Sequence, residues 1–193
     1  KGSSFAKTEH LWIGWPGDSS NVGDTSRQQA LDEWAERAKY IIVDIPHKTA
    51  ELFYQNYSNQ TVWPLFHYFP WLMSYDPKSW GAYVEANERF RDVVLRHARG
   101  DDLIWVHDYQ LMLLPLMLRD ALPDARIGFF LHIPFPSSEV FRLLPGRERL
   151  LHGLLGADLV AFQTHAHLQH FRSSLLRIIG QESQMNNLEV GGR

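Results

Sequence analysis

Two polar side chains stand where apolar runs end: Asp108 in Ile104-Trp-Val-His-Asp-Tyr-Gln, and His132 in Phe129-Phe-Leu-His-Ile-Pro-Phe-Pro. A carboxylate at a strand end can accept hydrogen bonds from two sugar hydroxyls. It can equally cap the following helix, since Asp is a favoured N-cap residue, and spacing leaves both readings open. Pro134 and Pro136 follow His132 and restrict the residues before them, so the loop is stiff enough to hold an imidazole in place. The alternative for His132 is a core histidine satisfied by a backbone carbonyl. His107 sits beside a buried run and reads as a hydrogen-bonded structural histidine.

A second group lies in Tyr54-Gln-Asn-Tyr-Ser-Asn-Gln-Thr-Val-Trp-Pro-Leu-Phe-His-Tyr, where Tyr54, Asn59, Trp63 and His67 combine ring faces with polar tips. Sugar faces pack on aromatic rings, and Tyr and Trp also carry donors for phosphate or hydroxyl oxygens. A loop stapled to the core by its aromatics explains the same residues. Trp15, Asp44, Gln163 and Thr164 end further apolar runs. In open parallel sheets, ligands collect beyond the carboxyl ends of the strands.

Other chemistries lack their residues. There are no cysteines, so a disulfide, a thiolate nucleophile and a cysteine zinc site are excluded. The ten His form no HExxH pattern, and no GxGxxG, GxxxxGKS or GxSxG sequence occurs. No metal site is expected.

The elements that must position Asp108 and His132 are short, continuous apolar runs: Leu11 to Trp15, Tyr40 to Ile45, Leu103 to His107, Ile127 to His132 and Leu159 to Gln163. Continuous runs suit strands buried on both faces of a parallel sheet. Helical segments alternate with them: Ser26 to Lys39, Pro77 to Ala98, Leu111 to Ala121, Glu139 to Leu155 and Thr164 to Ile179. The alternation predicts an α/β fold, a Rossmann-like parallel sheet with helices on both faces. Asp76 before Pro77 marks one helix start, and Ser137 after Pro136 another. Residues 1–180 are expected to form one domain, with 181–193 a polar tail or linker.

The 193 residues carry a formal charge of −3 with both signs mixed, which offers no basic patch to nucleic acid. The apolar stretch around Leu111 to Leu118 is interrupted by Pro115 and is too short to span a bilayer. With no signal-peptide pattern, a cytoplasmic protein that binds neither membrane nor nucleic acid is expected.

Three long motifs then stand in register: Trp63-Pro-Leu-Phe-His-Tyr, Leu103-Ile-Trp-Val-His-Asp-Tyr-Gln-Leu-Met-Leu-Leu-Pro, and Ile127-Gly-Phe-Phe-Leu-His-Ile-Pro-Phe-Pro-Ser-Ser-Glu. Together they closely resemble the trehalose-6-phosphate synthase family, and the resemblance runs from Trp12-Ile-Gly-Trp-Pro-Gly to Ala161-Phe-Gln-Thr and the helix after it. It implies the N-terminal, acceptor-side half of a two-domain GT-B glycosyltransferase. The implied reaction is a retaining transfer of glucose from UDP-glucose to glucose 6-phosphate, giving trehalose 6-phosphate without a metal or other cofactor. By the family's motifs, Tyr54 and Trp63 match contacts to the acceptor phosphate, and Trp15 lies in a matching motif. Asp108 matches a sugar-hydroxyl contact, and His132 a residue beside the transferred glucose. Asp108 and His132 are thus the implied catalytic residues.

The sequence departs from the family pattern in three respects. The glycine-rich loop expected ahead of Trp12 and the donor domain are absent from it, so this portion alone is expected not to catalyse transfer. Gln110 stands where active synthases usually carry His. That difference, with Gly156-Ala-Asp-Leu-Val-Ala-Phe-Gln-Thr, resembles fungal proteins in which a synthase-like domain is regulatory or precedes a trehalose-phosphatase domain. The alternative is therefore a noncatalytic scaffold or regulatory domain whose partners are other subunits of a trehalose synthase and phosphatase complex.

Overall fold

The computed structural model describes residues 10–17, 33–184 and 187–190. Of the helix expected at Ser26 to Lys39, positions up to 32 lie outside the described residues, and 33–38 are helical. The end of the expected tail, 191–193, also lies outside them.

The strands pair in parallel, as their continuous apolar runs predict. β1 (Trp12–Gly14) pairs with β2 (Tyr40–Ile42), Trp12 facing Tyr40. β3 (Leu103–His107), β4 (Arg126–Leu131) and β5 (Leu159–Phe162) form a three-stranded sheet with β4 at its centre. In that sheet His107 faces Phe130, and Leu131 faces Phe162. The carboxyl ends of β3, β4 and β5 thus emerge along one edge, which collects Asp108, His132 and Gln163.

Burial of the sheet is more one-sided than the sequence suggests. Val106, Ile127, Phe129 and Leu131 are buried, whereas Leu103, Trp105 and Leu159 stay exposed. Gly128 faces Trp105 across the β3–β4 pair, and a Cβ at Gly128 would meet the indole at 2.6 Å. The indole therefore lies over a residue with no side chain.

Helix Pro77–His97 starts as its sequence requires: Asp76 Oδ1 accepts from Lys78 N at 2.9 Å, and Pro77 occupies the first turn, where its missing N–H costs nothing. It buries Tyr83, Ala86, Asn87, Phe90, Val93 and Val94, an amphipathic spacing. It packs against Glu51–Val62, Leu114–Ala121 and β1.

Leu114–Ala121 packs on β4 and on Arg147–Leu154, and His165–Ser174 packs on β5. Arg119 ties these layers together. Its guanidinium donates to the carbonyls of Gly156, Pro123 and Ala125 and pairs with Asp158 at 2.7 Å, while Asp158 Oδ2 accepts from Ile127 N.

Two helical expectations are corrected. Glu139 to Leu155 is two pieces, Ser138–Phe141 and Arg147–Leu154. Pro145 and Gly146 separate them; Gly146 adopts φ +76° against the Trp80 ring, where a Cβ would meet the indole at 2.8 Å. The aromatic, amide-rich stretch is not a loop but a helical run, His47–Ala50, Glu51–Val62 and Trp63–Phe66. Its middle section has i→i+5 character: Trp63 N donates to Ser58 O, and Ser58 Oγ to Phe53 O at 2.8 Å. In the expected tail, Ser183–Gln184 and Asn187–Leu188 pair antiparallel, and Ser183 Oγ accepts from Arg172 Nε at 2.7 Å.

Candidate functional site

The site begins where β3 turns. Asp108 holds φ +72° and ψ 173°, a backbone region that is essentially glycine's. Its N–H donates to Phe130 O at 2.8 Å, and its Oδ1 accepts from the His132 N–H at 3.1 Å. Asp108 occupies the cap position of the turn Tyr109–Leu111, but its side chain makes no capping bond there. The carboxylate instead reaches across to the next strand end, so it does not serve as the cap of the turn that follows it.

His132 is held from three sides. Its N–H meets Asp108, its carbonyl accepts from Gln163 Nε2 at 2.6 Å, and its ring Nε2 lies 2.9 Å from His107 Nδ1. The ring is exposed and bonds to another imidazole, not to a buried carbonyl. Burial is the main reason that His107 titrates below the ordinary imidazole value; its neighbour His132 adds to the effect and Asp108 opposes it.

The stiffness that Pro134 and Pro136 suggest has a packing cause as well. Phe135, fully buried between them, sits among the rings of Phe141 at 4.9 Å, Phe171 at 5.3 Å, Phe66 at 5.6 Å and Phe162 at 5.9 Å. Its carbonyl bonds His170 Nδ1 at 2.9 Å, and Ser137 N donates to the Tyr68 hydroxyl. The loop after His132 is therefore anchored in the core.

Helix Glu51–Val62 packs against the turn Tyr109–Leu111. Its wide turn sets residues five apart on one face, bringing Tyr54 and Asn59 to the same side. Tyr54 meets Trp15 edge to face at 5.4 Å. Asn59 Oδ1 accepts from the Tyr109 hydroxyl at 2.9 Å, directly beside Asp108 in sequence. The Tyr109 hydroxyl is pushed up to about 12, by burial first and then by Tyr54 and Asp108 nearby, so it stays protonated as a donor. Trp15 Nε1 is buried without a hydrogen-bond partner, which leaves an indole donor unused beside Tyr54.

Trp63 follows on the next turn of the helical run. It is 40% exposed and stacks on His67 with ring centroids 3.9 Å apart; it makes its ring contact there and not within the Trp15, Tyr54 and Tyr109 row. Asp44 is exposed at the end of β2, its carbonyl accepting from Arg89 Nη1 at 3.3 Å. Thr164 caps helix His165–Ser174 through a bond from His167 N at 3.3 Å. The Gln110 carbonyl accepts from the buried Asn87 side chain at 3.0 Å.

Sequence reading passed over Tyr109 and the bracing role of Gln163. The signal for Tyr109 was its place directly after Asp108. For Gln163 it was its place at the end of β5, where a shallow pocket lined by Gln163, Thr164, His165 and Leu168 opens. Among the described residues, no group of three His, Asp or Glu could hold a metal ion, and no helix is long and apolar enough to cross a membrane.

The arrangement offers a carboxylate acceptor and an imidazole at the edge of the β3–β4–β5 sheet, the Tyr109 phenol next to them in sequence, and the Tyr54 phenol against an unused Trp15 indole N–H. This set suits hydroxyl and phosphate oxygens with aromatic faces at hand.

The family model of glycosyltransferase family 20 matches residues 2–193. The chain is 44% identical over 185 residues to the UDP-forming alpha,alpha-trehalose-phosphate synthase A of Dictyostelium discoideum, an alignment covering 96% of this chain and 25% of that protein. The solved N-terminal domain of the Candida albicans trehalose-6-phosphate phosphatase has a similar structure: TM-score 0.79 at 33% identity, covering 94% of this chain and 38% of that one. A UDP-forming alpha,alpha-trehalose-phosphate synthase from Burkholderia xenovorans, solved in complex with glucose 6-phosphate, gives TM-score 0.69 at 36% identity, covering 72% of this chain and 31% of that one. The chain thus spans about a quarter to two fifths of the length of these proteins.

Proposed function

The chain belongs to glycosyltransferase family 20, and we propose on that premise that it is the acceptor-side domain of a transferase that makes trehalose 6-phosphate from UDP-glucose and glucose 6-phosphate. The observation that carries this reading is the bond from the His132 backbone N–H to Asp108 Oδ1, which ties the residue that carries the imidazole to the carboxylate at one sheet edge. Trp15, Tyr54 and Tyr109 are proposed as the wall of the sugar site, on the Trp15–Tyr54 ring contact and the place of Tyr109 next to Asp108.

In this proposal Tyr54 and Trp63 hold the acceptor phosphate, with the unpaired Trp15 indole N–H beside Tyr54. Asp108 accepts hydrogen bonds from sugar hydroxyls, and His132 stands beside the glucose being moved. The bond from glucose C1 to the diphosphate oxygen breaks and its electron pair leaves with UDP. The anomeric hydroxyl of glucose 6-phosphate forms the new bond to C1, on the face that keeps the configuration, and passes its proton to the departing diphosphate oxygen. Fixed donors and acceptors do this work best in a site that excludes water, because they need no reorganisation as charge develops. The metal-free, cytoplasmic setting expected from the sequence goes with the proposal.

A second reading has its own support. Gln110, and the likeness to the N-terminal domain of a trehalose-6-phosphate phosphatase, favour a synthase-like domain that binds or regulates without transferring. Calorimetry of the full-length protein with glucose 6-phosphate and UDP-glucose tests the first reading, which predicts binding of both; binding of neither would sink it. Co-elution with an active synthase, without turnover of its own, supports the second.

A further inference from the structure

His107, which the sequence reads as a hydrogen-bonded structural histidine, has the His132 ring as its partner. It ends β3, and its ring stacks on that of His132 with centroids 5.2 Å apart and planes 29° apart. The separation of 2.9 Å between His107 Nδ1 and His132 Nε2 is that of a hydrogen bond between two nitrogens, one donating and one accepting.

We propose that His107 is a positioning residue for His132: by taking the Nε2 of His132 in a one-proton hydrogen bond, it sets the tautomer of that ring and leaves Nδ1 as the nitrogen that meets a sugar hydroxyl. The backbone of His132 is already fixed on both sides, its N–H by Asp108 and its carbonyl by Gln163. What remains free is rotation of the ring and the choice of which nitrogen carries the proton. The bond with His107 restrains the ring's rotation and, whichever nitrogen donates, couples the His132 tautomer to that of His107.

The surroundings reinforce this restraint. Trp105 packs beside His107 at 6.3 Å and Phe130 beside His132 at 4.7 Å, so apolar rings flank the pair on its own strands. Asp108 is the charged group whose field reaches His107. If both imidazoles were protonated, the two facing nitrogens would both be donors and the bond would be lost. The geometry therefore requires at least one neutral ring.

The inference rests on His132 meeting the sugar, but its central test needs no turnover. Nitrogen-15 NMR of histidine-labelled protein at neutral pH reads each ring's tautomer directly. His132 is expected to show one protonated and one bare nitrogen, and His107→Phe to average the two signals while the amide spectrum of the fold persists. His107→Asn puts an amide near the Nδ1 position and is expected to restore a single tautomer. A His132 that is averaged in the unsubstituted protein, or unchanged in His107→Phe, would overturn the proposal.

In the full-length protein given UDP-glucose and glucose 6-phosphate, His107→Phe is expected to lower kcat by up to about a hundredfold, the scale of a misplaced catalytic group. KM for glucose 6-phosphate should hold, and His107→Asn should recover much of the loss. A loosened His132 tautomer in a full-length protein that makes no trehalose 6-phosphate would sink the functional reading and leave the positioning role standing.

Discussion

Asp108 Oδ1 accepts the His132 backbone N–H at 3.1 Å, so the side chain at the end of one strand fixes the main chain at the end of the next. Asp108 makes this contact from φ +72° and ψ 173°. A side chain in that region costs about 1–3 kcal/mol, so strain and site share one residue.

Asp108→Gly should relieve that strain while removing the carboxylate, and Asp108→Ala should remove the carboxylate and keep the strain. Urea denaturation is expected to place the Gly variant above the Ala variant by about 1–3 kcal/mol. Both should lose affinity for the sugar ligand. Equal stabilities would refute the strain.

Phe135 anchors the loop that carries His132. Phe135→Ala empties a site among the rings of Phe66, Phe141, Phe162 and Phe171, and large-to-small changes of this kind cost about 3–5 kcal/mol. Phe135→Leu should cost less and keep ligand affinity. Calorimetric unfolding measures the first effect and titration the second.

Arg119 is a structural clamp with no part in the proposed chemistry. Arg119→Met leaves the carbonyls of Gly156, Pro123 and Ala125 without their donor and should cost about 2–4 kcal/mol in chemical denaturation. Asp158→Asn, on the exposed end of the ion pair, keeps an oxygen for the Ile127 N–H and leaves the Arg119 carbonyl bonds in place, so it should cost less than Arg119→Met. A larger effect from Asp158 than from Arg119 would contradict this assignment.

Close backbone approach makes some glycines irreplaceable. At Gly153 a Cβ would meet Leu113 Cα at 2.9 Å, and at Gly156 the Pro115 carbonyl carbon at 2.5 Å; in both cases the obstacle is main chain. At Gly128 the obstacle is the partly exposed Trp105 ring, which can move. Gly153→Ala and Gly156→Ala should each lower stability by about 1–3 kcal/mol, as overpacking does, and more than Gly128→Ala does.

Stability should also fall in acid. Burial pushes both His107 and His167 below the ordinary imidazole value of 6.5. Between those lowered values and 6.5 the unfolded chain binds more protons than the folded one. The folded state is therefore favoured fully above about 6.5 and loses that advantage as pH falls through the window. Urea midpoints measured from neutral pH to about pH 5 should drop, and less steeply in a His107→Asn, His167→Gln double variant. A flat profile in the unsubstituted protein would refute both shifts.

Much of the strand framework was legible in the sequence. Leu103 to His107 is a strand over the expected residues, and the other runs shift by a few, because continuous apolar stretches between turn residues have few alternatives to a parallel sheet. Helix Pro77–His97 was legible from Asp76 and Pro77 at its start. The helical run through Glu51–Val62 was not, because its buried Phe53, Tyr57, Ser58 and Val62 fall four and five apart and an α-helical template looks for three and four. Glu139 to Leu155 read as one helix because its composition outweighed the Pro145-Gly146 break.

The sequence by itself determined the strand ends and the family, since the motifs around Trp63, Asp108 and His132 are local strings whose residues stand in fixed order. Only the tertiary structure decided what those residues touch. Asp108 meets a backbone N–H instead of capping its own helix, His132 meets His107, and Tyr109 reaches Asn59 across 50 positions. The reason is physical: a strand end's direction follows from its local run, but its partners follow from sheet register and from helices packed far away in sequence, and short-range spacing carries no record of either.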